Sequence, residues 1–212
     1  GQSDRSKDYF YPQERFDDPS IGPNMHQVNA GLIKPLTKEH PELPGLSYAV
    51  LRNLSTYGLL CDLFFSHAWN EGVFEFIEHA LASWPDECHG AYICFLSNPQ
   101  NLDITEVLNH PDGSPFVRVL GAKPDQMIML ANRNEPIHTR WWCVYEAFLA
   151  YERGVDVSIA GKPLHLLTGQ LKGRLLLKER AADEMTQDGE ARIRAAMSDG
   201  DPGLPSLLAE LE

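Results

Sequence analysis

The residues best able to do chemistry lie in the stretch His138-Thr139-Arg140-Trp141-Trp142-Cys143-Val144-Tyr145-Glu146-Ala147-Phe148-Leu149-Ala150. If this stretch is helical, Glu146 has Trp142 and Cys143 one turn before it and Leu149 and Ala150 one turn after it. A carboxylate surrounded on both sides by apolar neighbours is not on a solvated stripe. Burying it costs free energy unless it is hydrogen-bonded, and such groups concentrate at functional sites. Two readings stand: a reacting or ligand-binding carboxylate, or a structural one paired with an arginine or capping a backbone amide. Adjacent helical residues diverge by about 100°, so Trp142 shares the face of Glu146 while Trp141 is expected to pack on a sheet.

Three apolar runs of strand length supply further polar groups. They are Leu60–Phe65, Ala91–Leu96 and Met127–Ala131, followed respectively by Ser66-His67, Ser97-Asn98 and Asn132-Arg133. Between the first two, Val73, Phe76, Ile77, Ala80, Leu81 and Trp84 recur at helical spacing. Strand, helix and strand make a βαβ unit. Further helices are expected over Leu46–Tyr57, Pro115–Leu120 and Thr139–Arg153, with a fourth strand over Val155–Ile159. Alternation of this kind predicts an α/β fold with a parallel sheet and helices on both faces. The carboxyl ends of such strands line the ligand crevice, so all three polar pairs are expected at one edge. Single Ser and Asn residues there also serve as helix or turn caps.

Three parts follow from composition. Residues 1–45 hold six prolines among polar residues and read as an arm outside the core, 46–162 as the α/β core, and 163–212 as a helical extension of the same domain. The long connection from Asn98 to Ser114 reads as a lid or docking loop. Eighteen basic against thirty acidic residues give a formal charge of -12, the wrong sign for sequence-independent nucleic-acid binding. No apolar run reaches the roughly twenty residues that span a bilayer. The cysteines at 61, 88, 94 and 143 have neither zinc nor redox spacing, and the start lacks the apolar segment of a signal peptide. A reduced, cytoplasmic protein without a metal is expected. Cys143 reads as a buried inert thiol. Phosphate loops of the GxxxxGK[ST] type and Rossmann glycine turns are absent from the sequence.

Taken in order, Leu63-Phe64-Phe65-Ser66-His67-Ala68-Trp69-Asn70-Glu71, Phe95-Leu96-Ser97-Asn98 and Trp142-Cys143-Val144-Tyr145-Glu146 resemble the boxes of a TIR (Toll/interleukin-1 receptor/resistance protein) domain. The first is similar to the F-[IL]-S-H-A-x-E-D opening of bacterial and protist members, with Asn70-Glu71 in place of the usual E-D pair. The third is similar to the W-C-x-x-E helix of plant and microbial ones. The resemblance covers roughly residues 59–160 and implies a flavodoxin-like sheet. In catalytic members the helix glutamate cleaves NAD+ and a tryptophan one turn before it lines the nicotinamide-ribose pocket. The resemblance therefore implies a catalytic Glu146, with Trp142, Trp69, Ser66, His67, Ser97, Asn98 and Arg140 around the substrate. It also implies NAD+ as substrate rather than cofactor, and self-association into a homo-oligomer. A non-catalytic TIR interaction module is the alternative.

Overall fold

The computed structural model describes residues 21–38, 45–56, 58–102, 114–133, 137 and 140–161, Trp141 by its backbone alone. Four strands, β1 (Leu63–Ser66), β2 (Ala91–Ile93), β3 (Gln126–Ala131) and β4 (Asp156–Gly161), form one sheet in the order β2-β1-β3-β4. Every pairing is parallel, with Phe64 opposite Tyr92 on one side and Met127 on the other. This is a flavodoxin-like arrangement, and its strand order reverses between β1 and β3, where open α/β sheets bind ligands.

Strand residues alternate between faces, and the core divides accordingly. Phe64, Tyr92, Met127 and Met129 face one layer, formed by α6 (Pro115–Gly121) and α7 (Trp141–Glu152). Leu63, Phe65, Ile128 and Leu130 face the other, where Phe76 and Ala80 of α4 (Val73–Ser83) pack. The numbering of α4 follows α1 (Met25–Val28), α2 (Lys34–Lys38) and α3 (Tyr48–Arg52); α5 is the single turn Cys94–Ser97.

Several elements depart from the sequence reading. Residues 21–38 are no irregular arm. Asn24 and Gln27 form a reciprocal cap, each side chain accepting from the other's backbone N–H at 3.0 and 2.9 Å. From that cap α1 runs through a π-helical turn (Asn29–Ile33) into α2. Met25, Asn29, Ile33 and Thr37 are all buried, at steps of four. In a regular α-helix three such steps drift by about 120°; the wider π turn takes up that drift and keeps the four on one side. Asn29 Nδ2 donates to Gln100 Oε1 at 3.0 Å, and Asn101 Nδ2 donates to Thr37 Oγ1 at 2.8 Å, which ties this helix to the chain after α5.

The second apolar run is strand only to Ile93. Phe95 and Leu96 lie in α5, and Ser97 Oγ accepts the Ile93 N–H at 3.1 Å in place of a further strand partner. The first run starts late, at Leu63, leaving Leu60 85% exposed. The helix expected over Leu46–Tyr57 is shorter: Ser47 caps α3, which ends at Arg52 before a 3-10 turn. In α4 the apolar stripe is split, with Phe76 and Ala80 buried but Ile77 and Leu81 exposed. Residues 103–113 of the long connection, the arm before Ile21 and the expected helical extension 163–212 lie outside the described residues.

Gly72 caps α4 where residues 21–24 cross it, bridged to Asn24. A Cβ there would collide with the carbonyl oxygen of Ile21, and a backbone atom cannot swing aside. Gly72→Ala is expected to destabilise by about 1–3 kcal/mol, measured as a lower midpoint in chemical unfolding.

Candidate functional site

Ser66 is the last residue of β1 and points to the same face as Phe64, toward α7. Its hydroxyl donates to Glu146 Oε2 at 2.6 Å, and both residues are buried. Eighty positions apart in sequence, the two meet because α7 lies across the sheet with Val144, Ala147 and Phe148 against the core. Cys143 Sγ donates to the His67 carbonyl at 3.5 Å, a second tie between α7 and the end of β1. Burial pushes the Glu146 carboxyl up to about 7; the Ser66 hydrogen bond, His67 and Arg140 oppose that shift without cancelling it. The group therefore exchanges its proton near neutral pH, in a position where open α/β sheets bind ligands.

Arg140 precedes α7, is 8% exposed, and its positive charge favours the ionised forms of Glu146 and Glu71. Trp142 is half-buried and meets the Phe116 ring edge-on, with centroids 5.2 Å apart. The side chain of Trp141 is outside the description.

His67 follows Ser66 and turns to the opposite face. Its ring is wholly buried between Phe76 and Phe95, with centroids at 5.1 and 5.4 Å. There Nδ1 lies 3.0 Å from Glu71 Oε1 and Nε2 lies 3.2 Å from Cys94 Sγ. Trp69 Nε1 donates to the same sulfur at 3.2 Å, and its ring leans on His26. Ser97 is committed to the Ile93 N–H, and Asn98 Oδ1 accepts from the Tyr92 hydroxyl at 2.9 Å. The residues expected around one substrate thus fall into two groups, Ser66 with Glu146 on the α7 face and His67 with Trp69 on the α4 face. Ser97 and Asn98 act as local braces after β2.

Two acidic partners, Glu71 and Glu75, were not legible as site residues. Glu71 is wholly buried beside His67. Glu75, in the first turn of α4, accepts from both the backbone N–H (3.2 Å) and Nε (3.0 Å) of Arg133. That pair ties the end of β3 to α4. Its one sequence signal is the polar residue after each strand, since Glu75 has Glu78 and His79 as helical neighbours and reads as solvent-facing. Burial pushes Cys143 well above the usual thiol range, as suits an inert core thiol. All four cysteines are free. Among the described residues no group of three or more His, Cys, Asp or Glu side chains is arranged for a metal ion, and no helix is long and apolar enough to cross a membrane.

Removing the Ser66 hydroxyl takes away the hydrogen bond that favours the ionised carboxylate. Ser66→Ala is expected to move the Glu146 titration to higher pH, as read from the carboxyl carbon shift in a 13C NMR titration. A midpoint that stays put or falls would mean that the contact carries no electrostatic weight.

Comparison of the chain with family models, with curated proteins and with solved structures finds no match in any of the three.

Proposed function

We propose that this chain is a TIR-like NAD+ nucleosidase in which Glu146 is the catalytic carboxylate. The observation that carries the reading is the buried Glu146–Ser66 hydrogen bond at the carboxyl end of β1, beside the strand-order reversal. The order of the sequence boxes and the parallel flavodoxin-like sheet support it.

The chemistry needs little more than one carboxylate. Breaking the bond between ribose C1′ and the nicotinamide nitrogen leaves an oxocarbenium-like centre, as in glycoside hydrolysis. The electron pair departs with nicotinamide, which enters as a cation and leaves neutral, so no general acid is required. Ser66 fixes Oε2 of Glu146, and Oε1 faces the ribose to stabilise the developing positive charge in a poorly solvated site. Arg140 favours the ionised carboxylate, and the Trp142 ring offers a face for nicotinamide. Water then adds at C1′ to give ADP-ribose, or a nitrogen of the adenine base attacks instead to give a cyclic product. The protein works in the cytoplasm as a self-associating domain.

The ionised form of Glu146 is the active one, so the rate should rise as pH increases through about 7 and level off above it. A test separates this reading from other N-glycosidic chemistry: the protein is incubated in parallel with NAD+, inosine and deoxyinosine, and the products are separated by chromatography. Consumption of NAD+ alone is expected, because only its base is already a cationic leaving group. Cleavage of a neutral nucleoside would assign a nucleoside hydrolase or transferase, and three intact substrates with a self-associating protein would assign an interaction module.

A further inference from the structure

The geometry points to a second reactive centre beyond the end of β1: Cys94, His67 and Glu71 form a nucleophilic thiol relay whose substrate class is small peroxides. Independent of any reaction at Glu146, it rests on a continuous line of contacts. Cys94 Sγ lies 3.2 Å from His67 Nε2, and His67 Nδ1 lies 3.0 Å from Glu71 Oε1. A nucleophile within reach of an imidazole, with a carboxylate against the far ring nitrogen to hold a positive charge there, is the arrangement that activates thiols. Glu71 is wholly buried, its contact with His67 is an ion-pair approach rather than a well-aligned hydrogen bond, and among the described residues neither of its oxygens accepts a hydrogen bond. A core carboxylate left in that state is costly, which argues for a role beyond packing. The Trp69 indole N–H aims at the same sulfur from 3.2 Å and can stabilise charge that develops there. Cys94 is half-buried at the start of α5 and the His67 ring behind it is wholly buried, so a small electrophile fits the site better than a chain of peptide.

The charges around the relay are compatible with proton movement along it. Burial opposes a charged imidazole, but Cys94 and Glu71 outweigh it and push His67 up to about 10. Burial pushes Glu71 up to about 7; His67 opposes that shift, Glu75 reinforces it and Arg140 opposes it again. Among the described residues, Cys143, Glu146 and Tyr92 also lie within electrostatic reach of this region, and His26 packs on Trp69. The reaction requires one proton shared between Nε2 and Sγ. In the reaction, the sulfur attacks one peroxide oxygen, an S–O bond forms and the O–O bond breaks. The leaving hydroxide takes the shared proton from His67 Nε2 and departs as water. Sulfur is oxidised by two electrons to the sulfenic acid and the peroxide is reduced by the same two.

Cys61 is also half-buried and serves as the internal reference. The whole chain is treated at pH 7 with substoichiometric hydrogen peroxide in the presence of dimedone, and sulfenic adducts are quantified by peptide mass spectrometry. Adduct at Cys94 is expected to form at least tenfold faster than at Cys61, and to lose that advantage in His67→Gln. Should His67→Gln fail to fold, the wild-type ratio decides alone. Cys94 oxidised no faster than Cys61, or equally fast in a folded His67→Gln protein, overturns the proposal.

Discussion

Glu146→Gln is expected to lower nicotinamide release at least roughly 100-fold at pH 8, the scale on which losing a preorganised electrostatic group acts. The amide keeps the shape of the side chain and a partner for the Ser66 hydroxyl, but carries no charge to set against the oxocarbenium-like centre. Its effect on stability has the opposite sign. The folded state holds the Glu146 proton up to about pH 7, whereas an ordinary glutamate releases it near 4.5. Between those values the folded protein binds more protons than the unfolded chain, so the contribution of this residue to stability falls as pH rises through the window. Glutamine is exempt from that loss. Thermal melts should show the variant equal to or above the wild type at pH 8, with the difference closing at pH 5. A variant that keeps its turnover would remove Glu146 from the catalytic role.

Phe64→Ala should do the reverse, damaging the frame before the chemistry. Phe64 is wholly buried in the centre of β1, stacked on Tyr92 with ring centroids 4.8 Å apart, in the cluster shared with α6 and α7. Truncating a core phenylalanine costs roughly 3–5 kcal/mol, transfer and cavity contributions together. In a domain of this size that lowers the melting temperature by about 10 °C. Because Phe64 shares its face with Ser66, α7 would lose its seat, and the Glu146–Ser66 contact would loosen with it. A loss under about 1 kcal/mol would mean that the sheet and α7 are not packed through this residue, since even shape-conserving core swaps cost up to about 1.5 kcal/mol.

The sheet was legible because its strands are buried on both faces and so appear as continuous apolar runs. Met127–Ala131 is recovered almost to the residue as β3. Glu146 was legible for a related reason: its helical neighbours are apolar, so a carboxylate stands out against them. What escaped was written in polar residues. The helix at 25–38 buries Asn29 and Thr37 beside Met25 and Ile33, so only two of its four buried positions carry an apolar side chain. Its Asn24–Gln27 cap is the one local signal that marks its start. Glu71 and Glu75 escaped because their partners His67 and Arg133 become partners only in three dimensions. The split between Ser66 and His67 follows from strand alternation alone. Adjacent residues at a strand end serve opposite faces, so the sequence pair divides between Glu146 and the Cys94 relay.

The central claim, a nucleosidase built on Glu146, is met most directly by quantifying nicotinamide after the pure protein is incubated with NAD+ at pH 8. The measurement runs over a wide series of protein concentrations, because self-association is part of the reading. Nicotinamide is expected in equimolar amount to ADP-ribose plus any cyclic form, with specific activity rising as the protein is concentrated. NAD+ recovered intact at every concentration, from protein shown to be folded by its melting transition, would contradict it.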